Sequence, residues 1–474
     1  MRTTQEFRTT RLSRAALAGT GAAASSAPVR IVHVGLGAFA RAHQAWYTAQ
    51  VDERGEWGVA AFTGRSATVA RQLAPQDGLY SVIERSADGD DIHIVTSVVE
   101  VDDGARVDRF VELVTAPDTA IVTLTVTEPG YRLLADGTPD PDDSALAADV
   151  QMLRKALARP EPTNVDLGSA PTTALGRLVL GLAARRRAGS GAIAVVPCDN
   201  MPDNGPFVRR GVVELARAAS ADDAAWIEEN VSFVSTSVDR ITPRTTDADM
   251  AAVTDRTGWI DASPVVTEPF HDWILSGKFP AGRPEWERAG ARFVDDIEPF
   301  ERRKLWLLNG SHSLMAYTGL VRGHATVAEA IADEVTRSEV LALWGEAARH
   351  LPRELLDLDS YQRALLERYE NARIEHRLEQ IGMEGVAKLR VRIVPVARAE
   401  RDAGRGAEAS AVAIGAWIAL ILAGRDLPDA QRDTVLRAAA AEDPVHGLVT
   451  VLDPQLADDV MFLDAVRAVV SELS

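Results

Sequence analysis

Residues 29–41 read VRIVHVGLGAFAR, and this stretch decides how the first half of the chain is understood. Val29 to Val34 is a short apolar run with a β-branched bias, the composition of a buried strand. It runs straight into Gly35-Leu36-Gly37 and then Ala38-Phe39-Ala40-Arg41, the spacing G-x-G-x-x-A at a strand-to-helix turn. Gly35 permits the tight turn, Gly37 lets a pyrophosphate reach the backbone, and Ala40 keeps the helix close to the sheet. The start of the helix offers free N–H groups to phosphate oxygens. A purely structural turn would use the same letters. The weight comes from position, directly behind a strand at the front of a long chain. The expected fold class is an α/β Rossmann-type dinucleotide-binding domain followed by a mainly α-helical substrate domain. Gly35, Gly37, Phe39, Ala40 and Arg41 are the candidate cofactor contacts of this first turn.

Further strands are expected at 57–63, 79–83, 92–100, 121–126, 192–196 and 231–238. Where an acidic residue often closes the second strand to hold ribose hydroxyls, the sequence gives Gly64-Arg65-Ser66. Arg65 is therefore a candidate for a 2′-phosphate or for stacking on adenine, and equally for a solvated loop. The cofactor expectation is NAD(H), with NADP(H) possible. The strand at 121–126 leaves into Thr127-Glu128-Pro129-Gly130-Tyr131, and Glu128 is counted with the cofactor side. Residues 132–152 are rich in Asp, Pro and Gly and read as a surface excursion, followed by helices at about 151–158 and 172–186. The strand at 192–196 runs into Cys198-Asp199-Asn200-Met201. A polar loop straight off an apolar strand is where open α/β sheets place ligands, although a plain turn with Asx caps has the same look.

From about residue 290 the apolar period becomes helical, which divides the chain into an arm at 1–28, a nucleotide domain at 29–287 and a substrate domain at 288–474. Residues 301–319, ERRKLWLLNGSHSLMAYTG, read as one helix closing at Gly319. On an α-helix Asn309 and His312 lie at about 140° and about 80° from Lys304, so one side carries all three. Such groups on a partly apolar wall cost free energy unless partners or chemistry answer for them. An amphipathic helix with its polar side in water is the plain alternative.

A chain of 474 residues is too long for one ordinary core, and 46% hydrophobic with 25% charged residues is the balance of a globular enzyme. A net charge of −18 argues against a nucleic-acid partner. The single cysteine, Cys198, excludes a disulfide framework and multi-thiolate metal sites, and fits a reducing, cytoplasmic setting. The first 28 residues lack a signal-peptide core and read as a frayed arm or a short packed helix. The longest apolar run, 411–423, is too short to span a bilayer and reads as a buried helix, so no membrane partner is expected. A hydride carrier needs a proton acceptor and a group that polarises the reacting oxygen. There is no Y-x-x-x-K, and catalytic zinc wants three well-placed Cys, His or carboxylate ligands, whereas the chain has one cysteine and no H-x-x-x-H, so no metal is expected. Lys304 remains as the candidate base. The amides of Asn200 and Asn309 are candidate donors to an alkoxide-like oxygen, and His312 a candidate for a substrate hydroxyl.

These segments together resemble the long-chain polyol dehydrogenase family, which contains mannitol 2-dehydrogenase, arabinitol dehydrogenase and the fructuronate and tagaturonate reductases. The matching stretches are GLGAFARAHQAWY at 35–47, QDGLYSV at 76–82, TEPGY at 127–131, CDNMPDNG at 198–205, TSVDRITPRTT at 236–246, TEPFHDWI at 267–274 and KLWLLNGSHSLMAY at 304–317. The resemblance implies Lys304 as general base, Asn200 and Asn309 as the oxyanion site, His312 as a substrate contact and Asp239 in a proton relay or in placing the lysine. It implies an active site between the two domains, no metal, and a monomer or weak dimer. Family members often carry Asn and His near positions 38 and 40, where this chain has Ala38 and Ala40. The tract from Asn371 to Leu389 is more similar to the uronate reductases than to the mannitol enzymes. Arg377 and Lys388 are thus candidates for a substrate carboxylate, with His376 and Arg368 beside them, although both cations also suit a solvated helix. The resulting expectation is a fructuronate reductase making D-mannonate, with mannitol 2-dehydrogenase as the alternative. A non-catalytic nucleotide-binding scaffold is the remote reading.

Overall fold

The computed structural model describes residues 9–21, 26–158, 170–425 and 427–473, so residues 1–8 and 22–25 of the expected arm lie outside it. The chain falls into two units, one of residues 1–85 and 89–297 and one of 86–88 and 298–474.

The first unit is built on a six-stranded parallel sheet. Its strands are β1 (Val29–Val34), β2 (Gly58–Phe62), β3 (Val98–Asp102), β4 (Ile121–Leu124), β5 (Ile193–Pro197) and β6 (Val231–Phe233), in the order β3-β2-β1-β4-β5-β6. The order reverses between β1 and β4, which makes that edge the topological switch point of a doubly wound fold. Both faces are covered, and alternate residues feed opposite cores. Val32, Ala60 and Val122 join a cluster with Phe110, Leu178 and Val212. Ile31, Val59 and Ile121 join the other, with Tyr47, Leu73 and Trp286.

Two of the expected strands are in fact pairs that change sheets. Within 92–100, Asp90–Val95 forms a hairpin with Tyr80–Arg85, and only Val98–Asp102 enters the parallel sheet. Within 231–238, Val231–Phe233 closes the parallel sheet, whereas Ser235–Asp239 pairs antiparallel with Asp272–Ser276. Gly205 packs against the start of the second of these strands, so close that a Cβ there would lie 2.6 Å from Ser235 Oγ. The expected surface excursion is shorter than its composition suggested. A helix begins at Ser144, because the Asp143 carboxylate accepts from the Ala145 and Leu146 N–H groups and caps it. In the arm, Thr10–Arg11 pairs with Trp259–Ile260, the helix Arg14–Ala18 follows, and Leu12 and Leu17 are buried against Leu79.

The second unit is helical. At its centre Glu408–Leu422, apolar almost all round, packs on Gly310–Arg322 and on Val460–Leu473. No helix among the described residues is long and apolar enough to cross a membrane. The helix expected to close at Gly319 continues to Arg322, and Gly323 at φ +86° ends it. Gly319 is inside the helix because a neighbour needs the room. A Cβ there would lie 2.6 Å from the Leu378 side chain.

Candidate active site

In the first unit the glycine turn has the geometry a dinucleotide needs. Gly35 adopts φ +105°, and a Cβ there would lie 2.5 Å from the Thr125 carbonyl oxygen, so only glycine fits. Thr125 Oγ1 donates to the Gly35 carbonyl at 2.7 Å, and buried His33 bridges Thr123 at 2.8 Å and Thr125 at 3.2 Å. Gly37 faces open space, with nothing nearer to a notional Cβ than 3.7 Å, so a pyrophosphate has access to the backbone. Ala40 is buried and Phe39 stacks on His43 at 4.9 Å. Arg41 is spent inward. Its guanidinium donates to the Gly37 carbonyl at 3.2 Å and the Ser263 carbonyl at 2.5 Å, so the side chain braces the turn instead of reaching outward. The helix behind the turn, Ala38–Ala42, breaks at His43 before resuming as Gln44–Val51. Arg65 and Glu128 are both exposed, Arg65 just past β2 and Glu128 at the start of a one-turn helix after β4.

The loop after β5 is held from beneath. Buried Asp199 accepts from Tyr131 Oη at 2.6 Å, from Asn204 Nδ2 at 3.1 Å and from the Met201 N–H at 3.1 Å. Burial raises its pKa above the ordinary carboxylate value, and these donors oppose the rise. Asn204, fully buried, also accepts from the Thr236 N–H at 2.9 Å. Asn200 stands exposed on top of this rigid base. Asp239 ends the strand Ser235–Asp239, buried and opposite Asp272. Tyr131, Asp199 and Asn204 were not singled out from sequence. Their only signal was their place within the TEPGY and CDNMPDNG motifs.

In the second unit the segment carrying Lys304 and Asn309 is not α-helical. Glu298–Arg303 is an α-helix, Lys304–Asn309 is a π-helix, and Gly310–Arg322 resumes the α form. The Gly310 N–H reaches back five residues to the Leu305 carbonyl. Residues five apart then lie on adjoining turns, so the wide turn itself brings Lys304 and Asn309 to one side, which α geometry set about 140° apart. Widening leaves carbonyls poorly bonded, and side chains answer them. Trp344 Nε1 donates to the Leu307 carbonyl at 2.8 Å, Ser311 Oγ to the same oxygen at 2.5 Å, and Arg392 Nη1 to the Asn309 carbonyl at 3.3 Å. Lys304 and Asn309 are half-buried. Beside Lys304 in the chain, Arg303 is buried with its guanidinium 3.9 Å from the Tyr361 ring centroid.

His312 lies one turn on, 8% exposed, with its ring 5.1 Å from that of Tyr369 and edge-on to His376 at 4.9 Å. Burial holds its pKa well below 6.5, and the basic groups His376, Arg368, Arg392 and Lys388 push the same way. The imidazole is therefore neutral at physiological pH. Its Nε2 is buried without a hydrogen-bond partner among the described residues. His376, Arg368 and Lys388 thus lie around His312, and Arg392, which sequence reasoning passed over, joins them. Arg377 does not. It is exposed and ion-paired to Glu375, because its extended backbone turns it to the side opposite His376.

An open glycine turn at the switch point of a doubly wound sheet places the first unit in the class of dinucleotide-binding oxidoreductase domains. Comparison narrows the class. Residues 29–288 match the profile of the mannitol dehydrogenase Rossmann domain, and residues 296–439 that of the mannitol dehydrogenase C-terminal domain. The chain belongs to the mannitol dehydrogenase family. It is 35% identical over 441 residues to the D-mannonate oxidoreductase of Escherichia coli K12, covering 90% of this chain and 84% of that protein. It is 34% identical over 437 residues to the mannitol 2-dehydrogenase of Pyrenophora tritici-repentis, covering 88% and 74%. The Pseudomonas fluorescens mannitol 2-dehydrogenase, solved as a ternary complex with NAD and D-mannitol, superposes with a TM-score of 0.76 at 29% identity, covering 98% of this chain and 97% of that one.

Proposed function

We propose that this oxidoreductase interconverts a keto-sugar acid and its aldonate, with reduction of D-fructuronate to D-mannonate as the specific reaction and NAD(H) as carrier. The observation that carries the reading is the set of basic side chains around His312. Four basic side chains depress its pKa, and no carboxylate stands among the leading causes. A basic cluster of this kind in a chain of net charge −18 suits an anionic ligand. The similarity to a D-mannonate oxidoreductase supports the same substrate class.

A bound nicotinamide supplies the hydride. The chain supplies the rest. In reduction, the amides of Asn200 and Asn309 donate to the carbonyl oxygen as negative charge develops on it, and the Lys304 ammonium delivers the proton that makes the alcohol. Oxidation runs the same steps backwards, with neutral Lys304 taking the hydroxyl proton. Neutral His312 uses its unpartnered Nε2 on a second substrate hydroxyl, and Asp239 serves the lysine's proton exchange. Gly35 and Gly37 admit the pyrophosphate, and exposed Arg65 makes NADP(H) a second carrier to test. The setting is cytoplasmic and the substrate a free small molecule. The similarity to mannitol 2-dehydrogenases favours a neutral polyol as the second reading. Assays of fructuronate, tagaturonate, fructose and xylulose with NADH and NADPH separate them. Preference for the uronates supports the proposal, and a strong preference for uncharged ketoses defeats it.

A further inference from the structure

We propose that Arg392, with Lys388 one turn before it, clamps the carboxylate of the substrate, and that Arg392 sets the preference for a sugar acid over a neutral ketose. The inference rests on the sugar-acid reading and assigns it to particular atoms. Both residues belong to the helix Gly385–Arg392, at a spacing that puts them on one face. Like charges so placed repel, and neither makes a close ion pair with a carboxylate among the described residues, although Glu384 and Asp429 act on Lys388 from further off. Elsewhere in the same unit, arginines are answered: Arg322 by Glu339, Arg349 by Glu400, Arg398 by Asp453 and Arg401 by Asp459. With 69 acidic residues against 51 basic ones, partners are not scarce in this chain.

The bonds Arg392 does make place it. Nη1 donates to the Asn309 carbonyl at 3.3 Å and to Ser313 Oγ at 3.1 Å, one turn apart on the facing helix and on either side of His312 in sequence. Nε and Nη2 remain without an acceptor among the described residues, and neither is sealed from solvent. Those two N–H groups form the parallel fork that matches the two oxygens of a carboxylate. Lys388 Nζ donates to the Ile381 carbonyl at 2.8 Å and keeps further protons for an anion. Burial is the first cause that lowers the pKa of both, Lys388 to about 8, where Glu384 and Asp429 oppose the fall, and Arg392 to about 10.

The test is steady-state kinetics of wild type, Arg392→Gln, Arg392→Lys and Lys388→Gln with D-fructuronate and D-fructose, together with calorimetric binding of D-mannonate and D-mannitol to the NAD-loaded enzyme. For Arg392→Gln the ratio of kcat/KM for the acid to that for the neutral ketose falls by about 100-fold, carried by KM, as loss of a charge-assisted fork requires. D-mannonate affinity falls with it. Arg392→Lys restores part of the ratio, and Lys388→Gln lowers it independently. Equal losses on both substrates overturn the clamp and leave Arg392 as a support for Asn309. A wild type that turns over D-fructose but no ketouronate overturns the sugar-acid reading itself, and the clamp with it.

Discussion

At the scale of single residues, the candidate site pairs groups that hold opposite protonation states for physical reasons. His312 is neutral because burial and the basic groups His376, Arg368, Arg392 and Lys388 oppose its charging. Lys388 titrates near 8, lowered first by burial and then by Arg392, with Glu384 and Asp429 opposing. Its charge is present below that pH and lost above it. The KM for a sugar acid is therefore expected to rise as pH passes about 8, with no matching rise for a neutral ketose, and Lys388→Gln should flatten the profile. Lys304→Ala should lower kcat by about 10²–10⁴-fold, the range of a general acid–base, while NADH binding followed by fluorescence stays near wild type. Unchanged turnover in that variant would remove Lys304 from the proposed role.

At the scale of elements, two local geometries carry the site. The glycine turn depends on a backbone only glycine adopts next to Thr125. Gly35→Ala should introduce about 1–3 kcal/mol of strain and weaken nucleotide binding by about tenfold or more, measured by NADH titration. The π-helical turn depends on groups outside it. Trp344→Phe removes the donor to the Leu307 carbonyl, and leaving that buried acceptor weakened should cost about 1–3 kcal/mol in denaturant unfolding. If the wide turn relaxes toward α geometry, Lys304 and Asn309 swing apart, so kcat should fall as well. Retained stability with unchanged kcat would show that the turn holds without the indole. Neither the π-turn nor its props could be read from the sequence around Lys304. The local letters favour an ordinary helix, and of the bonds that answer the widened turn only that of Ser311 is local, those of Trp344 and Arg392 coming from far along the chain.

At the scale of the whole molecule, the buried histidines of the first unit set its response to acid. Burial depresses His33 to about 4 and His43 to about 3. Both bind fewer protons folded than unfolded. Their stabilising contribution is complete above about pH 6.5 and is lost as pH falls toward those values, at about 1.4 kcal/mol per pH unit for each. Denaturant melts between pH 7 and 4.5 should show this slope, and His33→Asn should reduce it. The sequence by itself determined the order of the two units, the nucleotide turn, and the grouping of lysine, amide and imidazole on one segment. Those features rest on local spacing and on backbone freedom, which adjacent letters specify. Only the tertiary structure decided where strands 92–100 and 231–238 divide, that Gly319 is a packing residue and Gly323 the terminator, that Arg41 turns inward, and that Arg392 rather than Arg377 joins His312. Each of those outcomes depends on a neighbour distant in sequence, whose proximity no local pattern encodes.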